Sequence, residues 1–110
     1  MSFYAQAVTC LVFKDGMMLF IVKSLSALSD AQLLQTEQDT ILLVQDAVYA
    51  ANPAHEYFPR LASFNASIVV HEEDIQARGL QAKIGQDYPL VDYLKWVELT
   101  AQHAQNVTLD

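Results

Sequence analysis

A single cysteine, Cys10, in a chain of 110 residues leaves no internal disulfide and no cluster of thiolate metal ligands, the usage expected of a reducing cytoplasm. Glycine is nearly as scarce. Gly16, Gly79 and Gly85 stand alone, with no G-x-G-x-x-G and no P-loop sequence, so a phosphate cradle of backbone amides is not expected. Basic residues number six against thirteen acids, for a net charge of -7, and they form no stripe or Arg-rich helix, which argues against direct nucleic-acid binding. Long apolar runs are missing too. The two longest, residues 8–13 and 17–22, are split by Lys14-Asp15-Gly16 and fall far short of the ~20 residues that span a bilayer. The only lysine near the N-terminus follows the apolar residues and no small-residue cleavage site is evident, so a signal peptide is not expected.

What remains is 53% apolar, enough for the core of one ordinary domain. Its pattern alternates between two periods. "MMLFIV" (17–22), "TILLV" (40–44) and "ASIVV" (66–70) are short, uninterrupted apolar runs rich in strand formers, the mark of parallel strands covered on both faces. "YPLVDY" (88–93) predicts a fourth strand, with Pro89 near its start, where a missing donor is tolerated. Between the runs lie helical patterns. "SLSALSDAQLLQTEQD" offers Ser29 and Gln32 as a capping box; residues 46–64 read as a helical segment interrupted at Asn52-Pro53 and bent or restarted at Pro59. "HEEDIQARGL" carries Glu72, Glu73 and Asp74 at its positive end and Gly79 as a left-handed cap. In the last helix, capped by Asp92, Leu94, Val97 and Ala101 make an apolar stripe flanked by Tyr93, Trp96 and Thr100. Strand–helix alternation of this kind predicts an α/β fold, a small three-layer sandwich with a mostly parallel sheet flanked by helices.

Candidate chemistry is thin. His71 and Asp74 are the one histidine–carboxylate pair at i,i+3 spacing, better explained by helix-terminal charge than by a metal, and His55 and His103 are expected on exposed helix surface. Cys10 alternates with Val8 and Val12 in an apolar run, without the cationic setting that stabilises a thiolate. No catalytic, cofactor-binding or metal-binding residue is therefore expected. In "ILLVQDAVYAA" (41–51) an apolar strand runs straight into Gln45-Asp46, at a position where ligands of open α/β sheets bind. A carboxylate there would raise the pKa of a nearby thiol, so the pair is expected to cap the second helix or to hydrogen-bond to a partner. With Tyr49, Tyr93 and Trp96, Gln45 and Asp46 complete the set of interface candidates.

"MLFIVKS", "LLVQDAVYAA", "IVVHEEDIQARGL" and "LVDYLKWVELT", in this order over about four fifths of the chain, resemble the TusB/DsrH family. The resemblance implies a DsrE-like, flavodoxin-like topology and a subunit of a sulfur relay complex with TusC-like and TusD-like partners, a dimer of heterotrimers. Such complexes pass persulfide sulfur toward TusE and the enzyme that thiolates the tRNA wobble uridine. The relay cysteine belongs to the TusD-type subunit. Some DsrH proteins of sulfur-oxidising bacteria carry a cysteine near the first helix, and residues 24–39 here contain none, which favours a non-catalytic subunit of the tRNA branch. A DsrEFH-type role in sulfur oxidation and a small nucleotide- or flavin-binding module are the alternatives.

The family pattern begins near Met18, so residues 18–110 are expected to form the domain. Residues 1–17 are expected to be either a hairpin about Asp15-Gly16, a disordered extension, or a stretch preceding the true start at Met18.

Overall fold

The computed structural model describes residues 18–85, 87–103 and 105–110. The expectations for residues 1–17, Cys10 included, lie outside these. Five parallel strands form one sheet, β1 (Met18–Val22), β2 (Thr40–Leu43), β3 (Ser67–His71), β4 (Leu90–Val91) and β5 (Gln105–Leu109), in the order β4-β3-β2-β1-β5. The helices are α1 (Ala27–Leu34), a 3-10 helix (Gln45–Ala51), α2 (Phe58–Leu61), α3 (Glu72–Ala77) and α4 (Tyr93–Gln102).

Connectivity decides which face each helix covers. The chain steps from β1 to β2, β3 and β4 in one direction, then crosses back to place β5 beyond β1; with right-handed crossovers, everything before β4 must lie on one face and α4 on the other. The core divides accordingly. Phe20, Val22, Ile41, Leu43, Ile68 and Val70 meet Leu28 of α1, Val48 of the 3-10 helix, Leu61 of α2 and Ile75 of α3. The alternate positions Leu19, Leu42 and Val44, with Ile21 and Val69 half-buried, meet Val91 and, from α4, Leu99 and Trp96. Apolar residues on both sides of β1–β3 were legible as continuous runs because both sides face helices.

Several local expectations change. α1 begins at Ala27, before the proposed capping box; its first turn is met by Ser24, whose Oγ accepts from the Ala27 N–H at 3.3 Å. Ser29 and Gln32 instead tie α1 to the α2 region, Ser29 Oγ accepting from Arg60 Nη1 at 3.1 Å and Gln32 Nε2 donating to Ser63 Oγ at 2.7 Å. The fourth strand shrinks to two residues because Pro89 offers no N–H, although its carbonyl accepts from Val70 N–H at 2.9 Å. β5 was not expected. Its Gln105 and Asn106 read as a polar tail, yet Val107 and Leu109 alternate with Thr108, and a short edge strand needs no more than one apolar side. Asp92 does cap α4, accepting from Lys95 N–H at 2.8 Å, and Gly79 takes φ +66° after α3, as its position predicts.

Candidate functional site at the carboxyl ends of the strands

The connections leaving β3 and β4 diverge to opposite faces, the geometry at which open α/β sheets form a ligand crevice. His71, the last residue of β3, points to the α4 side and is buried against Trp96, the two rings meeting edge to face with centroids 4.8 Å apart. Its Nδ1 lies 2.9 Å from Asp74 Oδ2, so the i,i+3 pair noted in the sequence is a real contact. Nε2 lies 3.0 Å from Glu73 Oε1 but without the alignment of a hydrogen bond, which leaves a buried ring nitrogen in carboxylate contact only.

Asp74 is the hub. The same Oδ2 accepts the Gln45 N–H at 2.8 Å, and Oδ1 accepts from Arg78 Nη1 at 3.3 Å. Arg78 also reaches Asp46 Oδ1 through Nη2 at 3.0 Å. Burial pushes the Asp74 carboxyl up; the Gln45 N–H, the hydrogen bond and charge of His71 and the Arg78 guanidinium act the other way and hold its pKa below the usual carboxylate value. This bridge fixes an unusual backbone. Gln45 adopts φ +50°, in the left-handed region that non-glycine residues rarely occupy. The contact spans 29 positions in sequence, so nothing in the local pattern announces it.

The expectation that Gln45 and Asp46 cap the second helix is corrected. That helix is a 3-10 segment whose preceding residue is Val44, no side chain caps it, and Asp46 is turned outward to Arg78. Because the Gln45 N–H is held by a carboxylate from α3, the strand end is satisfied without a local cap. Replacing Gln45 by Gly should remove the left-handed penalty while keeping the Asp74 bond, raising stability by up to about 1 kcal/mol. Urea unfolding with an unchanged m-value is the check.

The other sequence candidates scatter. Tyr49 is half-buried beside Arg78, its ring centroid 6.0 Å from the guanidinium carbon, and Tyr93 is 62% exposed on α4. His55 and His103, expected on open surface, are both partly buried: the His55 Nδ1 accepts from Tyr57 N–H at 3.1 Å, and His103 Nε2 lies 2.9 Å from Thr40 Oγ1. Sequence reasoning passed over Lys23 and Thr108, which join Ile21, Val44, Gln45 and Trp96 around a cleft of about 230 Å³ at the ends of β1, β2 and β5. The second groove, of about 720 Å³, runs beside α4 and is lined by Val69, Leu90, Leu94 and Leu99 with Glu72 and Glu98 at its margin. Among the described residues no group of three or more His, Cys, Asp or Glu side chains could hold a metal, and no helix is long and apolar enough to cross a membrane.

Residues 23–106 match the family model described as DsrH like protein. The chain belongs to the DsrH-like family. Relatives called Protein TusB, from Yersinia pestis (strain Pestoides F) and Yersinia pseudotuberculosis serotype O:1b (strain IP 31758), are 40% identical over 74 residues, 67% of this chain and 78% of theirs. The fold is shared with the ychN protein of E. coli (TM-score 0.64, 12% identity, 84% of this chain and 97% of that one) and with Tm0979 from Thermotoga maritima (TM-score 0.56, 22% identity, 77% and 92%). The TusB/DsrH resemblance of the sequence is thus family membership.

Proposed function

We propose that this protein is a non-catalytic subunit of a TusBCD-type sulfurtransferase complex, which relays persulfide sulfur in the cytoplasm for thiolation of the tRNA wobble uridine. TusC-like and TusD-like subunits are its partners, in a dimer of heterotrimers, and TusE and the tRNA-thiolating enzyme are reached only through them. The observation that carries this reading is the orientation of α4. A parallel sheet needs both faces covered, and among the described residues α4 is the one helix on its side. Yet its apolar stripe turns away from the sheet: Leu94 is 72% and Val97 48% exposed, Ala101 is exposed, and Leu99 and Trp96 face inward. At about 100° per residue, positions 94, 97 and 101 lie on the side opposite Leu99. An apolar stripe directed outward beside an open apolar groove is what a partner surface requires.

Two features support a non-catalytic role within the tRNA branch. The strand-end cluster of Gln45, Asp46, His71, Asp74 and Arg78 contains carboxylates and cations bound to one another, with no thiol. Residues 24–39, in which some DsrH proteins carry a cysteine, contain none. Complementation tests the reading. In a cell lacking its own copy of the subunit, this chain should restore the thiolated nucleoside, and Cys10→Ser should restore it equally; failure of the unaltered chain alongside its cognate partners refutes the assignment, and failure of the variant alone refutes the non-catalytic role.

A further inference from the structure

We propose that the cleft at the carboxyl ends of β1, β2 and β5 binds a soft, singly bonded sulfur anion presented by another chain, with Lys23 as its counter-ion and Trp96 as its wall. The inference rests on the relay reading above and adds to it a place where this subunit meets the cargo. The cleft is small, about 230 Å³, below the roughly 300 Å³ at which small-molecule pockets usually begin. Its lining divides into the polar residues Lys23, Gln45 and Thr108 on one hand and the apolar residues Ile21, Val44 and Trp96 on the other. A phosphate would need several converging donors. A polarizable sulfur anion, less strongly hydrated, is satisfied by one cation with a hydrogen bond or two, and gains contact with an aromatic ring.

Charge placement favours Lys23 for this work. The ion pairs among the described residues use Arg78 with Asp46 and Asp74, Lys95 with Glu98, and His71 with Glu73 and Asp74, and none uses Lys23, Arg60 or Lys83; of these three, Lys23 is the one that lines the cleft. In a chain of net charge -7, an anion would be repelled from much of the surface, so a cation at a cleft, outside the ion pairs among the described residues, marks a place where one can settle. The cleft is also held open. Asp74 pins Gln45 at φ +50°, and His71 supports the inner side of Trp96. Trp96 sits on α4, whose outer stripe is the proposed docking surface, so a partner seated there would stand beside the cleft.

The test uses the full chain, isotope-labelled, with thiosulfate as the probe for a terminal sulfur anion and sulfate as the hard control, at constant ionic strength. Thiosulfate should shift the Gln45 and Thr108 amide signals and the indole N–H of Trp96, the only tryptophan, along a saturable curve. Sulfate should bind at least tenfold more weakly, Lys23→Gln should weaken thiosulfate binding at least tenfold, and Lys23→Arg should retain it. Shifts that never saturate, equal binding of sulfate, or undiminished binding by Lys23→Gln would overturn the proposal. Since the titration needs no partner subunit, a chain that complements in cells but does not bind thiosulfate rejects the cleft and leaves the relay reading standing.

Discussion

Asp74→Ala should lower the unfolding free energy by about 3 kcal/mol. The carboxylate accepts the Gln45 N–H, meets the His71 ring and receives Arg78, and charge-assisted hydrogen bonds contribute roughly 1.5–3 kcal/mol each when intact, with partial exposure and non-additivity reducing the sum. The variant also leaves the Gln45 N–H to water and releases a left-handed backbone that had been held in place. Asp74→Asn keeps an acceptor for Gln45 and loses the charge, so its loss should be smaller. Chemical denaturation measures both, and a deficit below about 0.5 kcal/mol for Asp74→Ala, the range of an ordinary surface substitution, would show that the hub is replaceable by water.

The pH dependence follows from the same contacts. The native pKa of Asp74 is depressed below the ordinary value of 3.8, so the folded state favours the ionised form more than the unfolded chain does. Its stabilisation is complete above the unfolded value and drains away as pH falls from there through the lower native value. The difference between the unaltered protein and Asp74→Asn should therefore be constant near neutrality and narrow below about pH 4.

The second large effect concerns assembly. Leu94→Glu should weaken the complex with the partner subunits by about 2 kcal/mol or more, roughly thirtyfold in Kd, because it places a charge on the most exposed apolar member of the outward stripe. The fold of the isolated chain should not notice, since the side chain is mostly exposed and Glu is a good helix former. Tyr93→Ala, which removes the exposed aromatic beside Trp96, should act in the same direction. Size-exclusion chromatography of co-expressed subunits, with thermal unfolding of the chain alone as control, separates the two effects. An intact complex in both variants would place the interface elsewhere.

Of the interface candidates drawn from the sequence, Gln45 and Asp46 are exposed and bonded to Asp74 and Arg78 within the chain, Tyr49 is half-buried beside Arg78, and Tyr93 is exposed on α4. Trp96 belongs to both sides, packed on His71 within and lining the small cleft without.

Four strands, the α/β class and the caps at Asp92 and Gly79 were legible in the residues because each depends on neighbours within a few positions: a run such as residues 40–44 is apolar on both faces, and a capping aspartate reaches an amide three residues on. The His71–Asp74 contact belongs to the same class, since one turn of chain brings the two together. Long-range contacts decided the rest. A period of 3.6 shows that α4 has an apolar stripe, but whether the sheet or a partner receives it depends on the face at which the chain arrives after β4, and that follows from strand order. β5 has too few apolar residues to stand out and becomes a strand only where β1 offers an unpaired edge. Gln45 could not be foreseen in a left-handed conformation, since an isolated chain pays a penalty for it; the carboxylate that makes it favourable comes from Asp74, on a different helix 29 residues away.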